Sequence, residues 1–256
     1  MPRANRHHLA AYVWHITQRC HRKQFLLKLD RDRRAWMRWL YEARKRYGLC
    51  VLNYTVTSNH VHLLVREQAR GEIAQSAQLV AGRTGQAYNA RKGRKGAFWE
   101  DRYHATAVDT GEYLARCLLY IDLNMVRAGV VKHPAEWEAG GYHEIQSPSP
   151  RYRIIDRTAL ADALGLEHVS RLATVHAQWV EAALRAGTHH RQPEWTESLA
   201  VGRREFVEQV EDELGGRARY RQAEAIGDKV HVLREQPPPY GAHFGLEIEL
   251  LRPERG

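Results

Sequence analysis

The stretch Ser58-Asn59-His60-Val61-His62-Leu63-Leu64-Val65, with Val51, Leu52, Tyr54 and Val56 just upstream, decides how the chain is read. Both segments are rich in β-branched and aliphatic residues, and the short link Thr57-Ser58-Asn59 predicts an antiparallel hairpin over 50–56 and 60–66. In an extended strand, side chains two apart point to the same face, so His60 and His62 project together while Val61 turns the other way. Two neutral imidazoles side by side are a metal-ligand arrangement. The alternative is a strand whose exposed face happens to carry two histidines, and this stretch alone leaves both open.

Elements on either side extend the pattern. Residues 11–18 read as a strand, with Tyr12, Trp14, Ile16 and Gln18 on one face and Val13, His15 and Thr17 on the other. Residues 30–47 read as a helix with Asp30 as N-cap, Gly48 as C′, and a stripe of Trp36, Trp39, Leu40, Ala43 and Tyr47. A second helix is predicted over 71–91, a loop entering a fourth strand over 98–108, and a third helix over 110–128. Asp109 with Glu112 would form a capping box for that third helix, and Gly129 would stop it. The order strand, helix, strand, strand, helix, strand matches the ferredoxin-like split βαβ pattern: an α+β antiparallel sheet with helices on one face and the other face open to a ligand. The histidine pair could face either layer. A buried polar pair needs partners, which favours the functional face.

Beyond a Pro/Ser boundary at 146–152 the chain reads as mainly helical, over 156–164, 168–186, 202–214 and about 217–226. Val230–Leu233, Pro237–Pro239 and Leu246–Leu251 read as irregular or extended. This gives a domain over 1–145 and a helical accessory region or lid over 146–256, with no catalytic signature and no internal repeat in the second part.

Composition narrows the function classes. The chain has 256 residues, 43% of them hydrophobic, which is ordinary for a globular protein. No apolar run approaches the about 20 residues of a membrane span. The start, Met-Pro-Arg-Ala-Asn-Arg-His-His, has no apolar signal region, and the three scattered cysteines suggest reduced thiols, so a cytoplasmic protein is expected. The net charge of +9 is uneven. Residues 1–110 carry 21 Lys+Arg against 8 Asp+Glu, whereas residues 111–256 carry 18 against 22. A basic field confined to the N-terminal part points to a polyanion, most often nucleic acid.

Tyr120 and Asn124, four apart, share a face of the third helix. Two histidines with one amide oxygen would leave open positions on a hard cation such as Mg²⁺ or Mn²⁺, and those positions suit phosphate oxygens. A tyrosine beside such a site is a candidate nucleophile: attack on a phosphodiester gives a phosphotyrosine and a free hydroxyl, and keeps the bond energy for rejoining. A core aromatic on an amphipathic helix is the plainer reading of Tyr120. Tyr113, on the same row, and Tyr103, before the fourth strand, compete for the role.

The pattern His60-Val61-His62, with Tyr120-Ile121-Asp122-Leu123-Asn124-Met125-Val126-Arg127-Ala128-Gly129, resembles the HUH-type single-tyrosine transposases, and among them the REP-associated tyrosine transposase group. Supporting stretches are His15-Ile16-Thr17-Gln18-Arg19 and Phe98-Trp99-Glu100-Asp101-Arg102-Tyr103, and the resemblance covers about 8–145. It implies a ferredoxin-like core, a divalent metal (Mg²⁺ or Mn²⁺), and cleavage and joining of single-stranded DNA beside imperfect, REP-like hairpins, by a monomer or homodimer. His60 and His62 would hold the metal, Tyr120 would be the nucleophile, and Asn124 would stand where the family's helix offers a third polar ligand. The chain departs from the family in carrying Met125 where proline is common, and in the residues after about 150. Charge and stacking nominate Arg19, Arg22, Lys23, Arg91, Lys92, Arg94, Lys95, Trp99 and Arg102 as DNA contacts. Two other readings stand beside this one: a non-catalytic nucleic-acid-binding protein that keeps the fold, and a metal hydrolase that uses water.

Overall fold

The structure is a computed structural model and describes residues 11–148, 151–187, 190–218, 221–227 and 229–235. The expectations for Pro237–Pro239 and Leu246–Leu251 lie outside the described residues.

Strands β1 (Val13–Arg19), β2 (Cys50–Val56), β3 (His60–Arg66) and β4 (His104–Val108) pair in the order β2-β3-β1-β4, all antiparallel. This is the ferredoxin-like order. Helices α1 (Asp30–Tyr47) and α2 (Glu72–Lys92) connect them and pack on one sheet face, where Trp36, Leu40, Ile73 and Val80 meet Ile16, Val61 and Leu63. The alternation seen in the sequence therefore decides the layering: the odd residues of β3 go to the α1/α2 core, and the histidines go to the opposite face.

That opposite face is not left open. It receives α3 (Glu112–Asp122), α4 (Asn124–Arg127) and part of the C-terminal region: α5 (Tyr142–Gln146), α6 (Arg157–Ala163), α7 (Leu172–Ala186) and α8 (Glu194–Glu197); α9 (Arg204–Leu214) instead packs beside Tyr12, with Phe206 against its ring and Glu213 accepting from its hydroxyl. The C-terminal region is mainly helical, as expected, but it also carries β5 (Ala200–Gly202), β6 (Arg221–Ala225) and β7 (His231–Glu235). These extend the sheet to seven strands in the order β2-β3-β1-β4-β5-β7-β6, with β5 parallel to β4. The helix expected over about 217–226 is thus strand β6. Its basis was helix-forming Arg, Gln, Glu and Ala residues, and pairing with β7 overrides that weak local preference.

Three local expectations change. Asp30 is not the N-cap of α1; Leu29 holds that position, and Asp30 instead pairs with Arg34 at 2.6 Å inside the first turn. Asp109 does not box Glu112. Its carboxylate accepts the N–H groups of Thr110 at 2.9 Å and Arg203 at 3.2 Å, and α3 starts after Gly111 at φ 66°. The helix expected over 110–128 breaks at Leu123 (φ −78°, ψ 7°). Gly48 does close α1, in the left-handed conformation at φ 73° that favours glycine.

β2 is an edge strand, yet all seven of its residues are buried. Residues 139–141 and 155–156 run along it: the N–H of Val56 donates to Ala139 at 2.8 Å, that of Gly141 to Tyr54 at 2.8 Å, and that of Asp156 to Val51 at 2.8 Å. This covers a row of backbone groups that would otherwise template aggregation. Gly141 has no room for a side chain, because a Cβ there would lie 2.1 Å from Asn53 Oδ1 and 2.7 Å from Ile155 Cδ1. Replacing Gly141 with Ala is expected to lower unfolding free energy by about 1–3 kcal/mol, the usual cost of overpacking. Urea unfolding followed by circular dichroism measures it, and an unchanged midpoint would contradict this packing of the β2 edge.

Candidate active site

Antiparallel register places four histidines on one sheet face. Thr17 pairs with His62, Arg19 with His60, His15 with Thr106, and Thr17 with His104. The rings of His60 and His62 lie 4.9 Å apart at 76°, and those of His15 and His62 stack at 5.1 Å and 11°.

Fixed partners settle which ring nitrogens carry protons. His15 Nδ1 lies 2.8 Å from the carbonyl oxygen of Trp195, which can only accept. His15 Nδ1 therefore holds the proton, and its Nε2 offers a lone pair. His62 Nδ1, 2.9 Å away, donates to that lone pair. His62 Nε2 is then left as an acceptor and takes a hydrogen bond from Asn124 Nδ2 at 2.9 Å. A similar chain fixes His60. Asn59 Nδ2 donates to the Lys23 carbonyl at 3.1 Å, which turns Asn59 Oδ1 to His60 Nδ1 at 2.7 Å. The His60 proton thus sits on Nδ1, leaving Nε2 with a lone pair. Burial holds all three rings neutral: it pushes His15 down to about 3 and His60 to about 4, and holds His62 well below the ordinary histidine value. His104 differs, because its Nε2 faces the Ser198 carbonyl at 2.9 Å and so carries the proton.

Tyr120 comes from the opposite side, on α3. Its ring meets that of His62 edge-on at 5.8 Å and that of His15 at 6.1 Å, and lies 6.4 Å from Trp195. The Arg127 guanidinium sits over the Tyr120 ring, 4.2 Å from its centre, and donates from Nη2 to the Tyr120 carbonyl at 3.2 Å. Burial raises the Tyr120 phenol above its ordinary value, and Arg127 pulls it back by favouring the phenolate.

His60, His62, Tyr120 and Asn124 line one cleft of about 560 Å³ with Arg19, Arg102, His104, Arg127 and Arg191. Seven of the nine DNA contacts nominated from the sequence do not line the cleft. Arg91 pairs with Asp32 and lines a groove between α1 and α2. Arg94 Nη1 donates to Asn89 Oδ1 at 3.1 Å, beside Lys92 and Lys95 at the end of α2. Trp99 is half-buried, its ring against Phe98 and its Nε1 donating to the Ala81 carbonyl at 3.0 Å. Arg22 and Lys23 are exposed on a short turn beside the cleft, both with positive φ. Of the competing tyrosines, Tyr103 lies in the α1/α2 core, and the Tyr113 hydroxyl donates to the Lys229 carbonyl at 2.5 Å. Sequence reading missed His15, Arg127 and Trp195. The alternation His15-Ile16-Thr17 and the seven-residue step from Tyr120 to Arg127 carried a signal for the first two; nothing local marked Trp195.

Among the described residues no group of three or more His, Cys, Asp or Glu side chains is gathered to hold a metal. The donors nominated by the sequence are two imidazole lone pairs and one amide, and the carboxylates of Glu100, Asp101 and Glu197 also line the cleft. The imidazoles suit a divalent ion in protonation state and tautomer, whereas Asn124 faces His62 with its nitrogen, not its oxygen.

Residues 9–124 match the family model described as Transposase IS200 like. The matched IS200-like segment ends on Asn124 and includes His60, His62 and Tyr120; Arg127, His176 and Trp195 lie beyond it. One solved structure it resembles is a REP-associated tyrosine transposase bound to a REP hairpin, at 16% identity and TM-score 0.48, covering 56% of this chain and 84% of that one. Another, ascribed to the transposases of Deinococcus radiodurans R1, is 16% identical with a TM-score of 0.34, covering 41% of this chain and 85% of the other. A comparison with curated protein sequences finds no match. No helix among the described residues is long and apolar enough to cross a membrane.

Removing the Arg127 charge, as in Arg127→Met, is expected to raise the Tyr120 titration point, because a nearby cation favours the phenolate. Tyrosine-labelled NMR across a pH series reads this, and a downward or null movement would contradict the stacked geometry.

Proposed function

We propose that this chain is a metal-dependent transposase that cuts and rejoins single-stranded DNA beside hairpins through a covalent 5′-phosphotyrosine on Tyr120. The observation that carries this reading is the meeting of Tyr120, two imidazole lone pairs and Arg127 in one basic-rimmed cleft. Its supports are that geometry, the IS200-like match and the basic N-terminal half.

His60 and His62 would hold Mg²⁺ or Mn²⁺ through their Nε2 atoms, with Asn124 as a third ligand once its amide presents oxygen. Bound there, the ion would polarise the scissile phosphate and favour the phenolate. The Tyr120 hydroxyl attacks phosphorus and gives up its proton to solvent; the bond from phosphorus to the 3′ oxygen breaks, and that oxygen leaves as a hydroxyl. Attack by a 3′ hydroxyl on the phosphotyrosine reverses the sequence and joins strands. Arg127 steadies charge on the phenolic oxygen. Arg19 and Arg102, on the cleft rim, take backbone phosphates.

Incubation with Mn²⁺ and a single-stranded hairpin oligonucleotide should give a protein–DNA adduct on a denaturing gel. Tyr120→Phe should abolish the adduct, and His62→Ala should reduce it by at least about a hundredfold, the scale of losing a group that positions charge at the reacting centre. DNA cleavage that survives Tyr120→Phe would instead indicate attack by water. Hairpin binding without cleavage under either metal would indicate a binding protein. Arg19→Ala with Arg102→Ala should weaken hairpin binding and reduce its salt slope by about 1 for each arginine.

A further inference from the structure

Asp122 closes α3, two residues after Tyr120 and two before Asn124, and its side chain turns to the far side of the helix. There it is almost wholly buried against His176 of α7, with His176 Nε2 2.8 Å from Asp122 Oδ2 and the two side chains 0% and 1% exposed. Gln146 Nε2 donates to His176 Nδ1 at 2.8 Å, so the His176 proton sits on Nε2 and points at the carboxylate. Asn53 Nδ2 of β2 donates to the other carboxylate oxygen at 2.9 Å.

Such a group is a poor way to gain stability. A carboxylate at a helix C-terminus faces the negative end of the helix dipole, and a carboxylate taken out of water costs free energy that its hydrogen bonds offset only in part. What it supplies is direction. The helix breaks at Leu123, immediately after Asp122, and the break frees the Tyr120 carbonyl for Arg127. Thr55 Oγ1, also on β2, donates to the Ile121 carbonyl at 3.2 Å, so the end of α3 is bracketed by β2 on one side and α7 on the other.

We propose that Asp122 and His176 form a positioning pair: α7, outside the IS200-like segment, fixes the end of α3 so that Tyr120, Asn124 and Arg127 face His62. This rests on the reading of Tyr120 as nucleophile, and the test is built to separate the two. In Asp122→Leu with His176→Leu, an apolar pair replaces the hydrogen-bonded pair. The melting temperature should fall, because the Asn53 and Gln146 amides lose their acceptors, while at a temperature where the variant is fully folded the adduct rate at saturating hairpin DNA falls at least about tenfold, the scale of a small misplacement of reacting groups. The half-saturating DNA concentration should not move. Mn²⁺ affinity, read by electron paramagnetic resonance without DNA, should fall about tenfold, as for loss of a group that orients a ligand. His176→Gln, which can still donate to Asp122, should retain the rate within about threefold. Should the double variant not fold, Asp122→Asn carries the same expectation. A folded variant lacking the pair with wild-type adduct rate and Mn²⁺ affinity overturns the proposal. If the wild type forms no adduct, the transposase reading fails by itself; the Mn²⁺ affinities then still decide the positioning role.

Discussion

The carbonyl of Trp195 constrains the rest of the site. A carbonyl can only accept, so it forces a proton onto His15 Nδ1, which forces one onto His62 Nδ1, which leaves His62 Nε2 bare. One backbone oxygen in α8 thereby sets the chemistry of a strand in the middle of the sheet. The same residue's ring packs near Tyr120 at 6.4 Å. A sheet face carrying four histidines is costly to bury unless each ring has partners, and here each has one.

This need for partners ties the C-terminal region to the sheet. The segment from Trp195 to Ser198 supplies carbonyls to His15, His104 and Thr106, and the chain then enters β5 beside β4. On the other side of α3, His176 and Gln146 satisfy the Asp122 carboxylate. The matched segment contributes His60, His62, Tyr120 and Asn124, and the rest of the chain sets the histidine tautomers and the direction of α3.

Much of the fold was legible because periodicity carries it. Alternation in β1 and β3, the stripe of α1 and the glycine at 48 act through local geometry, and the four-strand order followed. Tyr120, His60, His62 and Asn124 were legible from spacing and resemblance, and they do meet in one cleft. What failed was non-local. Strand β6 reads as helix because its pairing with β7 is invisible in its own residues. Asp109 reads as a helix cap because Arg203, its actual partner, is far along the chain. Trp195 was silent because a backbone oxygen has no residue code. Basic residues read as DNA contacts on charge alone divided by geometry: Arg19 and Arg102 reach the cleft rim, while Arg91 is held by Asp32.

The central claim is that one side chain, Tyr120, becomes joined to DNA. Mass spectrometry of peptides from the wild-type protein, after reaction with Mn²⁺ and a hairpin-bearing single strand, tests it most directly. The account predicts a nucleotide mass on the peptide containing Tyr120 and on no other. A nucleotide mass on Tyr103 or Tyr113, or cut DNA with every tyrosine unmodified, would contradict it.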